Sequence, residues 1–204
     1  MLEVRDDNAA AFEELMLRYQ NRLISVMEHL VGRRDMAEDL TQDVFLRVYR
    51  ARKRYVPGSK FSTWLFTIAN NVGLNALRSL ARRHEVHLSP PGGSASGGNP
   101  IEQMIQAASG LMPARQLDKA ETRDIVRIAI ATLGERQRMA VLLCKFESLS
   151  YAEIAEVMDL SPQAVKSLLS RARGNLRNVL EPYLSHGARP TSEAEGVTRQ
   201  HRKR

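Results

Sequence analysis

The stretch SYAEIAEVMDLSPQAVKSLLSRARGNLRNVL, residues 150–180, decides the fold of the second half of the chain. Ser150 is placed to cap one short helix, and Ser161, followed by Pro162 at the first helical position, is placed to cap the next. Only Met158, Asp159 and Leu160 lie between them, and small Ala155 falls where two crossing helices must approach. A connection this tight predicts a helix-turn-helix. Asp159 takes the turn position where glycine is commonest, which aspartate tolerates because it can visit left-handed backbone. At 100° per residue, Val165, Leu168, Leu169, Ala172, Leu176 and Val179 fall on one apolar face of the second helix. Gln163, Lys166, Ser167, Ser170 and Arg177 point the other way. Gln163, Lys166 and Ser167 sit in the N-terminal part that enters a major groove first, and Arg171 and Arg173 at the edges where phosphates would lie. Such a face favours DNA over a purely structural or protein-binding role.

Working outward, the rest of the chain also reads as helical. Residues 119–133 and 135–146 continue the same domain upstream. Near the N-terminus, Asn8 is a plausible cap for a helix on which Phe12, Leu15, Tyr19, Leu23, Met27 and Leu30 recur every three or four residues, ending at Gly32. A second helix is expected over 35–54, stopped by Pro57-Gly58, and a third over 62–83. Strand-like alternation is absent, so the expected class is all-α. Residues 89–100, SPPGGSASGGNP, are ten parts in twelve Gly, Ser or Pro, the composition of a flexible linker. Residues 101–108 could add a turn or two of helix before Gly110 and Pro113. The expected organisation is two small helical domains, residues 8–84 and 119–184, joined by a linker over 85–118. A polar, basic tail, 185–204, is expected to be disordered.

The charge is distributed more tellingly than its total. The 204 residues carry a formal net charge of +7, yet residues 1–46 hold 5 basic and 10 acidic side chains. Residues 47–84 hold 9 basic side chains and no Asp or Glu. A solvated face mixes signs, so a block of this kind points to a polyanionic partner. No apolar run approaches the roughly 20 residues needed to span a bilayer. The opening MLEVRDDNAA is charged and shows no secretory leader, and the lone Cys144 cannot form an internal disulfide; a reducing cytoplasm is the expected location. His84, Glu85 and His87 lack the spacing of a helical zinc site, so no metal is expected. No carboxylate pair, nucleophile with a base, or phosphate loop appears. Neither a catalytic residue nor a cofactor is therefore expected.

Within the third helix, Trp64, Asn71, Asn75, Arg78 and Arg82 fall within about 40° of one line. They set a stacking ring, two amides and two cations beside a core face of Phe61, Leu65, Ile68 and Val72. Aromatic rings interleaved with cations suit single-stranded nucleic acid, because every unstacked base presents a π-face; Trp64 taken alone would equally suit a core. On the second helix, Leu46 lies among Asp39, Gln42, Asp43 and Arg50 on what should be the solvated side, an arrangement that hints at protein docking.

The segments AEDLTQDVFLRVYR, FSTWLFTIANNVGLNALR and LSYAEIAEVMDLSPQAVKSLLSRAR, in this order, resemble a bacterial sigma factor of the extracytoplasmic-function (ECF) group. The resemblance covers residues 8–182 and implies a non-enzymatic initiation factor that reads promoter DNA for core RNA polymerase. Residues 37–49 resemble the helix that docks on the clamp coiled coil of the largest polymerase subunit, which would give Asp39, Gln42, Asp43 and Leu46 a partner. The loop from Tyr55 to Lys60 and the helix beginning Phe61 and Trp64 resemble the elements that recognise and open the minus-ten element and hold a flipped base. Asn71 matches a recurrent asparagine of the family, while Asn70 stands where arginine is frequent. Asn75, Arg78 and Arg82 extend that surface. The C-terminal domain resembles the reader of the minus-thirty-five element, which would use Ser161, Gln163, Lys166, Ser167, Ser170, Arg171 and Arg173; Leu168 stands where many members carry arginine. Many members are held inactive by an anti-sigma factor, a further partner in prospect.

The linker bears on this picture. About 34 residues of Gly/Ser-type coil span roughly 30 Å, whereas two DNA elements two helical turns apart lie about 70 Å from each other. The linker is therefore expected to be held extended on polymerase, and the free domains to tumble semi-independently or fold onto each other. A stand-alone helix-turn-helix regulator is the main rival; it leaves the Trp64 stripe and the Leu46 patch without purpose. A metal-dependent nuclease would need ligands from Asp35, Glu38, Asp39 and Asp43, which are spaced as a solvated helix face.

Overall fold

A computed structural model describes residues 1–58, 60–87 and 119–186. The expected linker and tail fall outside these residues, apart from their first few positions, as does the helical turn read over 101–108. The described residues are helical, without strands.

The N-terminal helices follow from their caps and apolar spacing. Helix α1, Leu2–Arg5, is a single turn the sequence pattern did not announce, and it buries Val4. Helix α2, Ala9–Val31, starts where the Asn8 side chain accepts from the Ala11 N–H at 3.1 Å. It ends at Gly32, whose φ of 77° is the left-handed cap expected of glycine. Helix α3, Arg34–Ala51, passes into a 3-10 turn, Arg52–Arg54, so the helix read over 35–54 tightens in its last turn. Helix α4, Phe61–His87, runs a few residues beyond its expected end. Leu23, Val26, Met27 and Leu30 of α2 are buried, as are Val44, Phe45 and Val48 of α3 and Leu65, Phe66, Ala69 and Val72 of α4. A side chain at Gly73 would collide with Leu30 and touch Met27, so this glycine lets α4 approach α2 closely.

Helix α5, Lys119–Ala131, buries Ile125, Ala129 and Ile130. Helix α6, Glu135–Lys145, is buried from Met139 to Leu143. Helix α7, Tyr151–Met158, opens with a capping box in which Ser150 and Glu153 satisfy each other's backbone N–H groups. It closes at Asp159 in the left-handed conformation the sequence anticipated, φ 53°. Helix α8, Pro162–His186, follows after two residues, with the Ser161 hydroxyl accepting from the Ala164 N–H at 3.2 Å. Val165, Leu169 and Ala172 are buried, matching the apolar face read from the sequence.

Among the described residues, α1 to α4, α6, α7 and α8 as far as Ala172 form one compact unit; α5 and the remainder of α8 belong to a second. Within the first unit, α2 packs on α3, α4 and α6, and α7 packs on α4 and α6. No described helix is long and apolar enough to cross a membrane.

Candidate nucleic-acid interface

The aromatic residues around the start of α4 gather in one cluster. Tyr55 packs edge-on against Trp64 at 5.2 Å and Phe61 at 6.2 Å between ring centroids, and Tyr19 of α2 meets Phe61 at 5.4 Å. Phe61 and Trp64 lie 5.9 Å apart. Tyr55 is only 7% exposed, so it supports the cluster from beneath, while Phe61 and Trp64 are half-buried and form its accessible part. Trp64 thus divides its surface between core and solvent, which neither simple reading of the sequence described. Beyond it along α4, Asn71, Asn75, Arg78 and Arg82 are exposed, with Arg78 donating to Asn75 at 3.4 Å. The structure therefore brings the rings, amides and cations onto one accessible strip. Lys60, ahead of it, is exposed but paired with Glu153 of α7 at 2.9 Å.

On α3, Asp39, Gln42 and Leu46 are exposed and Asp43 is half-buried, its carboxylate paired with Arg47 at 3.0 Å. Leu46 is 54% exposed, a large apolar side chain that no intramolecular packing accounts for. Tyr49, three residues on along the same face, was missed by the sequence reading. Its ring is exposed, yet it is fixed by the Arg52 guanidinium stacked 3.8 Å above it and by Phe12 at 5.2 Å. Its i+3 spacing from Leu46 was the available signal. Arg52 and Lys53 converge on Asp7, whose carboxyl is held below its ordinary value, first by the Lys53 hydrogen bond and then by that of Arg52.

The outer face of α8 is polar throughout. Gln163, Lys166, Ser170, Arg171 and Arg173 are exposed and Ser167 is half-buried. Ser161 serves as the helix cap, and Arg171 donates to the Ser167 hydroxyl at 3.1 Å, which pre-orients that guanidinium along the helix.

Two segments of the chain match families of known proteins: residues 15–83 match Sigma-70 region 2 and residues 123–176 match Sigma-70 region 4. The ECF RNA polymerase sigma-E factor of Escherichia coli K12 is 33% identical over 186 residues, covering 89% of this chain and 92% of that protein. The chain belongs to the ECF sigma factors. The sigma-E factor of Haemophilus influenzae is 31% identical over 183 residues, covering 89% of this sigma factor and 93% of its own length. Among solved structures, the sigma factor RpoE of Bartonella quintana, in complex with the anti-sigma factor NepR, is similar with a TM-score of 0.64 and 25% identity. That similarity covers 84% of this chain and 97% of RpoE. CnrH, solved with the cytosolic domain of CnrY, shares the fold at a TM-score of 0.61 and 23% identity, over 88% and 93% of the two chains. This sigma factor thus has the all-α architecture and the two DNA- and polymerase-binding regions that the sequence resemblance implied, and it directs promoter-specific initiation by RNA polymerase.

Proposed function

We propose that the work of initiation divides along this chain as its charge divides. The α3 face of Asp39, Gln42, Asp43 and Leu46, extended by Tyr49, docks on the clamp coiled coil of the largest polymerase subunit. The strip of α4 holds the opened minus-ten element, with Phe61 and Trp64 offering stacking surfaces, Asn71 and Asn75 reading a base edge, and Lys60, Arg78 and Arg82 meeting phosphates. Tyr55 acts from below by fixing Trp64. Residues Ser161, Gln163, Lys166, Ser167, Ser170, Arg171 and Arg173 read duplex DNA at the minus-thirty-five element. These tasks fall to domains at residues 8–84 and 119–184, with 85–118 as the span between promoter elements and 185–204 as a basic tail.

The observation that carries this reading is the accessible strip of ring, amide and cation on α4, which has the chemistry of a single-strand site. Unstacking a duplex step costs a few kcal/mol, and trapping an extruded base offsets part of that. The protein supplies binding energy and polymerase supplies the chemistry, so the chain is not itself an enzyme and works in the cytoplasm. The relative solved with NepR supports an anti-sigma factor as a further partner.

Leu46→Asp tests the docking assignment. It places a charge on an exposed side chain and leaves the core untouched. Retention of core polymerase in a pull-down should fall at least tenfold, while binding of the full chain to duplex promoter DNA stays unchanged. Unaltered retention would refute the α3 face as the docking surface.

A further inference from the structure

Several polar contacts tie α6 and α7 to the N-terminal helices. Lys60 Nζ lies 2.9 Å from Oε1 of Glu153. The other oxygen of that carboxylate, Oε2, accepts from the Ser150 N–H at 2.8 Å and the Ser150 hydroxyl at 2.7 Å. One oxygen therefore serves the cap of α7 and the other reaches across to the minus-ten loop. Arg22 of α2 donates through Nε to Glu147 at 2.9 Å and also through Nη2, and the Glu147 side chain is only 3% exposed. Arg138 of α6 donates to the Leu30 carbonyl at 2.7 Å, and Phe146 rests against His29 with ring centroids 4.7 Å apart. On α4, the helix that α7 packs on, Thr63 Oγ1 and Asn70 Oδ1 are buried without a hydrogen-bond partner. The Lys60–Glu153 and Arg22–Glu147 ion pairs make part of this contact one that salt can weaken.

We infer that Glu153 and Glu147 latch α6 and α7 onto α2 and α4, and that Lys60 is the bolt: it is released to minus-ten DNA only when the latch opens. The inference rests on the assignment of Lys60 to the minus-ten contact. An ammonium already paired at 2.9 Å cannot seat a phosphate without bringing that phosphate beside the Glu153 carboxylate, and the two like charges repel. Single-stranded DNA and the closed form therefore compete for one side chain. Opening leaves α7 folded, since its cap uses the oxygen that Lys60 does not touch.

The test uses the full-length chain carrying dyes at Asn21→Cys and Ala152→Cys, both exposed, in a Cys144→Ser background. Energy transfer should be high at low salt and fall as NaCl rises. Glu153→Gln removes the charge but keeps a residue that serves in capping boxes; it should lower transfer at low salt and tighten binding of a 20-nucleotide oligothymidylate by about two- to fivefold. Glu156→Gln removes the same charge from the same helix and should change neither. Transfer that ignores both salt and Glu153→Gln overturns the latch, as does equal tightening by Glu156→Gln. If Lys60→Gln costs no oligothymidylate affinity in the Glu153→Gln background, the Lys60 assignment falls while the transfer measurements still judge the contact between the helices.

Discussion

Gly73 illustrates how a single residue can be decided by a neighbour far away in sequence. In mid-helix, glycine costs up to about 1 kcal/mol relative to alanine, and the sequence gives no reason for it. The reason is Leu30, against which any side chain at position 73 would collide. Gly73→Ala should therefore destabilise the fold by about 1–3 kcal/mol, the range for overpacking, despite its better helix propensity; chemical denaturation would show it. Glu153 makes a second residue-scale prediction. The Ser150 hydroxyl, then Lys60, then the Ser150 backbone hold its carboxyl at about 2, against an ordinary value of 4.5. A depressed pKa in the folded state means the charged form stabilises the fold. That contribution is complete above pH 4.5 and is lost as the pH falls toward 2. Denaturation midpoints of Glu153→Gln should consequently drop less steeply than those of the natural sequence across that window; parallel curves would rule the contribution out.

The helices themselves were legible because each is bounded by chemistry written locally. Asn8, Gly32, Ser150, Asp159 and Ser161 act as the caps or turn residues their types suggested, since capping needs only a side-chain oxygen or a tolerant backbone within a few residues. The exceptions are also local in origin. Helix α1 is one turn long and offers no periodicity to detect, and the end of α3 tightens to a 3-10 turn where three successive cations, Arg52 to Arg54, replace the apolar pattern. On α8 the buried apolar face and the exposed polar face separate cleanly, which lets the proposed base contacts be tested apart from the proposed phosphate contacts. Gln163→Ala or Ser167→Ala should change which promoters are used in transcription from a mixed pool, whereas Arg173→Ala should weaken binding to all of them alike. Equal losses on every sequence for all three would place the base-reading face elsewhere.

At the scale of the whole molecule, the charge pattern acquires a structural counterpart. The block over 47–84, with 9 basic side chains and no acidic one, finds local counter-charges elsewhere in the chain: Asp7 takes Arg52 and Lys53, Asp43 takes Arg47, and Glu153 takes Lys60. Arg78 and Arg82 on the α4 strip remain exposed. Free protein at rising ionic strength should lose the exposed pairs before the buried Glu147 contact, because salt screens solvated charges most. Opening measured by energy transfer should accordingly begin at the Lys60 end, with Lys60→Gln shifting the salt midpoint downward and a midpoint unmoved by that change contradicting the order.

By itself the sequence determined the all-α class, the caps, the helix-turn-helix and the division of each helix into apolar and polar faces, because periodicity, capping and charge act over a few residues. Only the tertiary structure decided that Tyr55 lies beneath Trp64, that Tyr49 is held by Arg52 on the Leu46 face, and that Lys60 is engaged by Glu153. Tyr55 and Trp64 are 9 residues apart and Lys60 and Glu153 are 93 apart, separations without a local pattern; Tyr49 and Arg52 are only 3 apart, but Phe12, which completes that contact, is 37 residues away. Their partners are chosen by how helices pack, and packing exists only once the chain has folded.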